Sequence, residues 1–175
     1  MLRKCFRFVA IVALTVSAPL SAIAATTGTQ TFTVNVPTAV SIVAPSAVSL
    51  THDESDNANA FPVQTWLVKG NDPDGVNVEF STTTPFVGPG SSKADVRLDL
   101  AVLNSQGPAS WTVTTAQDTT DYANTNPDNS ALVAAQSNGV GRANLDLTVS
   151  FLGGEFGTYA AGAYATTVTG TVAAR

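Results

Sequence analysis

Asp95 and Asp99 share the polar face of one alternating segment, with Arg97 between them, and Asp146 sits on the polar face of another. Two carboxylates about 5 to 10 Å apart across a groove would serve glycoside hydrolysis, one as acid and the other as base or nucleophile. Glu155 is a further candidate for such a pair. The same spacing also describes a cross-strand ion ladder on the wet face of a sheet. No aromatic cleft surrounds these acids in sequence, so the ladder is the reading adopted. His52 is the only histidine and lies in a polar stretch beside Asp53 and Glu54, while the only cysteine, Cys5, falls in the N-terminal leader. G-x-S-x-G, H-E-x-x-H, C-x-x-C and a glycine-rich phosphate loop are all absent. The chain is expected not to be an enzyme, and no catalytic residue is assigned.

Among metals, calcium suits the oxygen donors best. Asp72 and Asp74 in "NDPDGVN", and Asp53 and Asp56 in "HDESDN", gather carboxylate and amide oxygens on turns. Neither stretch has EF-hand spacing, and Asp-Pro-Asp-Gly is first of all a tight-turn formula. No cofactor is expected, with calcium the weak alternative. Trp66 and Trp111 could serve sugar binding, but each lies in an alternating segment that suits a core anchor.

The elements that must position these residues alternate with period 2. Val96, Leu98, Leu100 and Val102 alternate with polar neighbours, and so do Leu145, Leu147, Val149 and Phe151. That is the pattern of a strand with one wet face. "TAVSIVAP", "SAVSLT", "FPVQTWLVKG", "GVNVEFSTTT", "ASWTVTT" and "GAYATTVTGTVAA" read as further strands, separated by Gly-, Pro- and Asp-rich turns. One short helix is expected in "NSALVAAQSN", residues 129–138, between a capping Ser130 and the Asn138-Gly139 stop. The polar stretches 51–60 and 118–130 are expected as surface loops. The fold class that follows is all-β, an immunoglobulin-like antiparallel β-sandwich.

Arg3, Lys4 and Arg7 border an apolar run from Phe8 to Leu20 that ends in Ala22-Ile23-Ala24. Residues 1–24 are therefore expected to be a signal peptide, followed by an N-terminal strand at 25–37 and one sandwich domain at 38–175. Removal of the leader leaves five basic against thirteen acidic residues, a net charge near −8. Such a chain repels nucleic acid and anionic membranes. No second apolar run long enough to span a bilayer follows, so the mature chain is not expected to insert into a membrane. With no cysteine left, stability must come from the core rather than from disulfides. Export of bacterial type, to the cell surface or periplasm, is the expected localisation.

The two ends of the mature chain carry the functional reading. "TFTVNVP" sets Phe32, Val34 and Val36 against polar neighbours and then breaks at Pro37. At the other end, Tyr164, Val168 and Val172 share a face with Thr166 and Gly170, and the chain stops on a strand. A short, separable strand is what strand donation requires, in which an extended segment completes a neighbour's sheet through main-chain hydrogen bonds and side-chain pockets.

On these features the chain resembles the major pilins of the alternate chaperone-usher type, the colonisation-factor-antigen fimbriae. "FTVNVPTAVSIVAPSAVSL" looks like their donor segment plus first strands, "FPVQTWLVKGNDPDGVNVEFSTTTPF" like the central hairpin, and "AGAYATTVTGTV" like the closing strand. Gly162 stands fourteen from the C-terminus, where pilins carry a glycine, although Ala174 replaces their penultimate tyrosine. The resemblance implies Phe32, Val34 and Val36 as donor residues, and an accepting edge at Gly162, Tyr164, Val168 and Val172. It also implies copies of the chain or related subunits as partners, with a periplasmic chaperone and an outer-membrane usher. The expected function is a secreted structural subunit of a surface filament. The alternative is a monomeric binding module for a glycan or wall component, with the 51–60 and 118–130 loops as its recognition surface and calcium as an aid.

Overall fold

A computed structural model describes residues 26–154 and 157–175. The expected signal peptide and Glu155 lie outside the described residues. The chain divides into two compact units, residues 1–35 and 36–175. In the first, residues 26–35 form no strand and are exposed throughout. Over residues 26–37 the expected strand is thus an unpaired arm: an alternating segment becomes a strand only when another edge supplies its hydrogen bonds.

Among the described residues the second unit holds twelve strands: β1 (Val40–Val43), β2 (Asn59–Ala60), β3 (Gln64–Gly70), β4 (Val76–Thr82), β5 (Phe86–Val87), β6 (Lys93–Ala94), β7 (Val96–Gln106), β8 (Trp111–Thr115), β9 (Gln117–Thr119), β10 (Ala131–Ser137), β11 (Gly141–Phe151) and β12 (Thr169–Ala174). One sheet runs β1-β3-β11-β7-β9 with β2 against the end of β11, the other runs β12-β4-β10-β8, and β5 pairs β6. Every pairing is antiparallel. The two larger sheets bury their alternating residues against each other as a β-sandwich. Val68, Leu98, Leu145 and Leu147 come from one sheet, and Val76, Val78, Phe80 and Val133 from the other.

Period 2 placed most strands because alternation and burial have one cause: successive side chains point to opposite faces. In β7, Val96, Leu98 and Leu100 are buried while Arg97 and Asp99 keep partial exposure. Three expectations change. The stretch 129–138 is the strand β10 rather than a helix, with Ala131, Val133, Ala135 and Ser137 inward. Its inward residues are mostly small, so the alternation is faint in sequence, and pairing on both sides by β4 and β8 overrides the helix preference of alanine. The expected central hairpin is absent, because β3 and β4 lie in different sheets. The turn at 71–75 carries the chain across the core instead, so that Trp66 meets Phe80 edge-on at 5.0 Å. "SAVSLT" forms no strand, and Val48 and Leu50 are exposed.

The two sides of the sandwich differ. On one, the chain runs from β8 in one sheet directly into β9 in the other, and the Leu100 amide holds the crossing by donating to the Ala116 carbonyl at 2.8 Å. Asp118 adds a tie, since its carboxylate accepts the Leu132 amide of the opposite sheet at 2.8 Å. Part of the expected 118–130 loop is therefore a structural seam, with Thr120 buried in it. On the other side β1 and β12 are the edge strands; among the described residues no strand pairs with both, and the two pack on each other, Gly170 lying against Ile42.

Candidate functional site: an apolar groove between residues 44–50 and 160–168

The acids considered for hydrolysis each have a hydrogen-bonding partner of their own. Asp99 takes the Arg97 guanidinium at 2.9 Å and the Gln117 side-chain amide at 2.8 Å. Asp146 accepts the Thr65 hydroxyl at 2.6 Å. Asp95 accepts the Thr120 hydroxyl at 2.8 Å and the Tyr122 amide at 2.9 Å, which fixes the start of the 120–130 loop. Each carboxylate thus stitches neighbouring backbone or side chains on the sheet surface.

The calcium candidates are likewise engaged in turns. The Asp72 carboxylate accepts the Asp74 amide at 2.9 Å, and the Gly75 amide donates to the Asp72 carbonyl at 3.1 Å. Gly75 has φ +94°, and a Cβ there would lie 2.1 Å from the Ser137 carbonyl oxygen, so this turn requires glycine. Asp53 accepts the Ser55 hydroxyl, the Ser55 amide and the Asn59 side-chain amide. Those hydrogen bonds, led by the Ser55 hydroxyl, favour the carboxylate and hold the Asp53 pKa at about 2. Asp128 is lowered in the same way by the amide and hydroxyl of Ser130. Among the described residues, no three His, Cys, Asp or Glu side chains come together as a metal site.

What the fold does assemble is a groove of about 1090 Å³ on the open side. Residues 44–50 flank it beyond the end of β1, and residues 160–168 flank it before the start of β12. Its lining includes Phe61, Trp66, Phe86, Val149, Phe151 and Tyr164. The aromatics form a connected floor. Phe86 meets Phe151 at 5.2 Å, and Phe151 meets Tyr159 at 5.1 Å, Tyr164 at 5.6 Å and the ring of His52 at 5.5 Å. Such edge-on and tilted pairs add to area burial. His52 therefore packs on the aromatic floor at the groove mouth, a placement its polar sequence neighbours concealed. Burial raises the Tyr159 phenol above its ordinary pKa, and its hydroxyl donates to the Leu152 carbonyl at 3.0 Å.

Of the accepting-edge residues named from sequence, Gly162, Tyr164 and Val168 line the groove, while Val172 lies within β12 opposite Val78. Gly162 has φ +148°, and a Cβ there would sit 2.3 Å from Pro89. That turn brings Tyr164 down over Gly88, with its hydroxyl 3.0 Å from Ser92 Oγ and 3.1 Å from the Ala160 carbonyl oxygen. At the groove's other end Trp66 is 8% exposed, and its indole N–H is buried without a hydrogen-bond partner. An unmade bond of this kind costs about 1–3 kcal/mol.

The donor residues named from sequence are all in the open: Phe32 is 82% exposed, Val34 85% and Val36 76%. The root of this arm is held by a residue the sequence reading missed, Asn71. Its side-chain amide donates to the Pro37 carbonyl at 2.9 Å, and its side-chain oxygen accepts the Ala39 amide. Its position beside the "NDPDG" turn was the available signal, since turn asparagines commonly bond backbone.

Fold and groove together define the class: an antiparallel β-sandwich with an apolar groove on one side. No family model, curated protein or solved structure matches the chain. Among the described residues no helix is long and apolar enough to cross a membrane.

Proposed function

We propose that the chain is a secreted structural subunit of a surface filament or fimbria, assembling by donation of residues 29–36 into the open groove of another copy. One observation carries this reading: the same chain has an unpaired alternating arm with its apolar residues in water, and an apolar groove bordered by residues 44–50 and 160–168. Exposed apolar segments and unpaired edges are liabilities for a protein that stays alone. Each suits the other's chemistry, because an added strand supplies ladder hydrogen bonds along the edge and places alternate side chains into the groove. A periplasmic chaperone that covers the groove before assembly, and an usher that releases it, are the partners this reading implies.

Magnitudes limit how strong such a joint is. Full burial of Phe32, Val34 and Val36 contributes roughly 1.5–3 kcal/mol each. Association costs about 4–15 kcal/mol in lost freedom. Three anchors roughly balance that cost, so backbone pairing and contacts beyond the arm decide the affinity.

The test is a mature chain lacking residues 25–37, compared with the full mature chain by light scattering and by SDS electrophoresis with and without heating. Heat-sensitive oligomers that require the arm support donation; equal assembly without the arm refutes it. The alternative, a monomeric glycan-binding module, draws on the aromatic floor and on the 51–60 loop at its mouth. A monomer that retains glycan or calcium binding after loss of the arm would establish that alternative.

A further inference from the structure

The floor of the groove and its mouth differ in chemistry. On the floor, the side-chain polar groups are already bonded within the chain. Tyr159 donates to the Leu152 carbonyl at 3.0 Å, the Tyr164 hydroxyl lies 3.0 Å from Ser92 Oγ, and Thr166 donates to the Thr84 carbonyl at 2.8 Å. The Gln64 side-chain amide donates to the Pro62 carbonyl. Trp66 Nε1 has no partner, but it is buried and out of a ligand's reach. What the floor offers is the carbon surface of Leu147, Val149 and Phe151 with the rings around it. A ligand rich in hydroxyls, such as a sugar, would lose its bonds to water there without replacing them. A hydrocarbon chain has no such bonds to lose and is favoured by burial.

The site is long and stopped at one end. Its floor follows β11 from Phe151 to Leu147 and reaches Trp66, which stands opposite Leu145. Six steps of strand separate Leu145 from Phe151, about 20 Å at ~3.4 Å each. Beyond Trp66 the side is filled, because Gly170 packs there against Trp66 and Ile42. A single extended chain entering at the mouth fits this shape.

The mouth is formed at Thr51, His52, Glu54 and Ser55. No lysine or arginine is among the described lining residues, and the Glu54 carboxylate forms no ion pair among the described residues. His52 Nδ1 accepts the Glu54 amide at 3.0 Å, so the ring that packs on Phe151 is the neutral imidazole. A cationic head set there meets a carboxylate with aromatic rings beside it, and both attract cations. An anionic head meets like charge, on a chain whose net charge outside the leader is near −8.

We infer that the groove binds a single-chain cationic amphiphile, its hydrocarbon chain laid along the Phe151–Leu147 floor toward Trp66 and its ammonium head at Glu54. This goes beyond strand donation, since it requires no second copy, and it makes the ligand and the arm rivals for one groove.

Isothermal titration calorimetry of the full chain tests it with dodecyltrimethylammonium, dodecyl maltoside and dodecyl sulfate, each kept below its micellar concentration. Circular dichroism at each endpoint confirms that the fold persists. Dodecyltrimethylammonium should bind saturably, and about tenfold more tightly than dodecyl sulfate at low ionic strength. Decyltrimethylammonium, shorter by two methylenes, should bind roughly tenfold more weakly than its dodecyl homologue. Glu54→Gln should weaken the ammonium probe about threefold and leave dodecyl maltoside unchanged. Val48 lines the groove but is 46% exposed, so Val48→Asp alters the wall without cutting into the core. It should weaken dodecyl maltoside several-fold, and the two variants together tie the signal to the groove rather than to the leader or the arm. Absence of saturable binding, equal or tighter binding of the sulfate, or unchanged affinity in either variant overturns the inference. Saturable binding that also slows assembly of the copies places ligand and arm in one groove. Saturable binding by a chain whose assembly is indifferent to the arm keeps the ligand site and removes donation.

Discussion

Gly170 on β12 packs directly against Trp66 on β3: a Cβ at residue 170 would lie 2.8 Å from the indole Cζ3, 2.9 Å from Ile42 and 3.1 Å from Phe80. This contact joins the edge strand of one sheet to the second strand of the other, at the point where the open side closes above the groove. Gly170→Val should cost about 1–3 kcal/mol, the usual penalty of overpacking a core. Urea denaturation followed by tryptophan fluorescence reads the loss, and increased hydrogen exchange along β12 locates it.

Leu98 is fully buried on β7, between the sheets. Leu98→Ala should destabilise the fold by about 2–5 kcal/mol. With no disulfide to offset that loss, the thermal midpoint should fall by several degrees in a calorimetric scan.

The arm behaves differently. Val34 is exposed, so Val34→Asp should leave the melting temperature of the isolated chain within error, and on the proposed strand donation it should abolish heat-sensitive oligomers. A variant that melts lower but assembles normally would place Val34 inside its own fold.

Asn71 ties the arm's root through two hydrogen bonds. Asn71→Ala should cost about 1–2 kcal/mol. Hydrogen exchange should show the clearest effect, with protection lost at Ala39 and retained at Val68.

Asp53 predicts a pH effect confined to one loop. Its pKa falls from 3.8 to about 2 on folding, so its contribution is present above 3.8 and is lost as pH falls through about 2. The carboxyl resonance of Asp53 should titrate near pH 2 in NMR, and the 51–59 amides should broaden over the same window. Asp53→Asn should remove that transition and leave the sandwich strands unaltered.

The β-class was legible because Leu98, Leu145 and their neighbours alternate strictly, and strands β7 and β11 announced themselves. β10 did not, since Ala131 and Ala135 are too small to mark a face. The seam at Asp118 and the clamp at Asn71 were also hidden, because each depends on a partner remote in sequence: Leu132 in the other sheet and Pro37 at the arm's root. The apolar face of Tyr164, Val168 and Val172 could be read from spacing, but that Tyr164 and Val168 would line a groove while Val172 pairs within β12 could not.

The sequence by itself determined the strands with strong alternation and the tight turn at Asp72–Gly75, because these follow from local backbone geometry and side-chain period. The tertiary structure alone decided that β3 and β4 face each other rather than pair, that the β8–β9 crossing closes one side, and that aromatics from Phe61 to Tyr164 floor the other. Those outcomes depend on which surfaces bury each other, and residues far apart in the chain set that choice together.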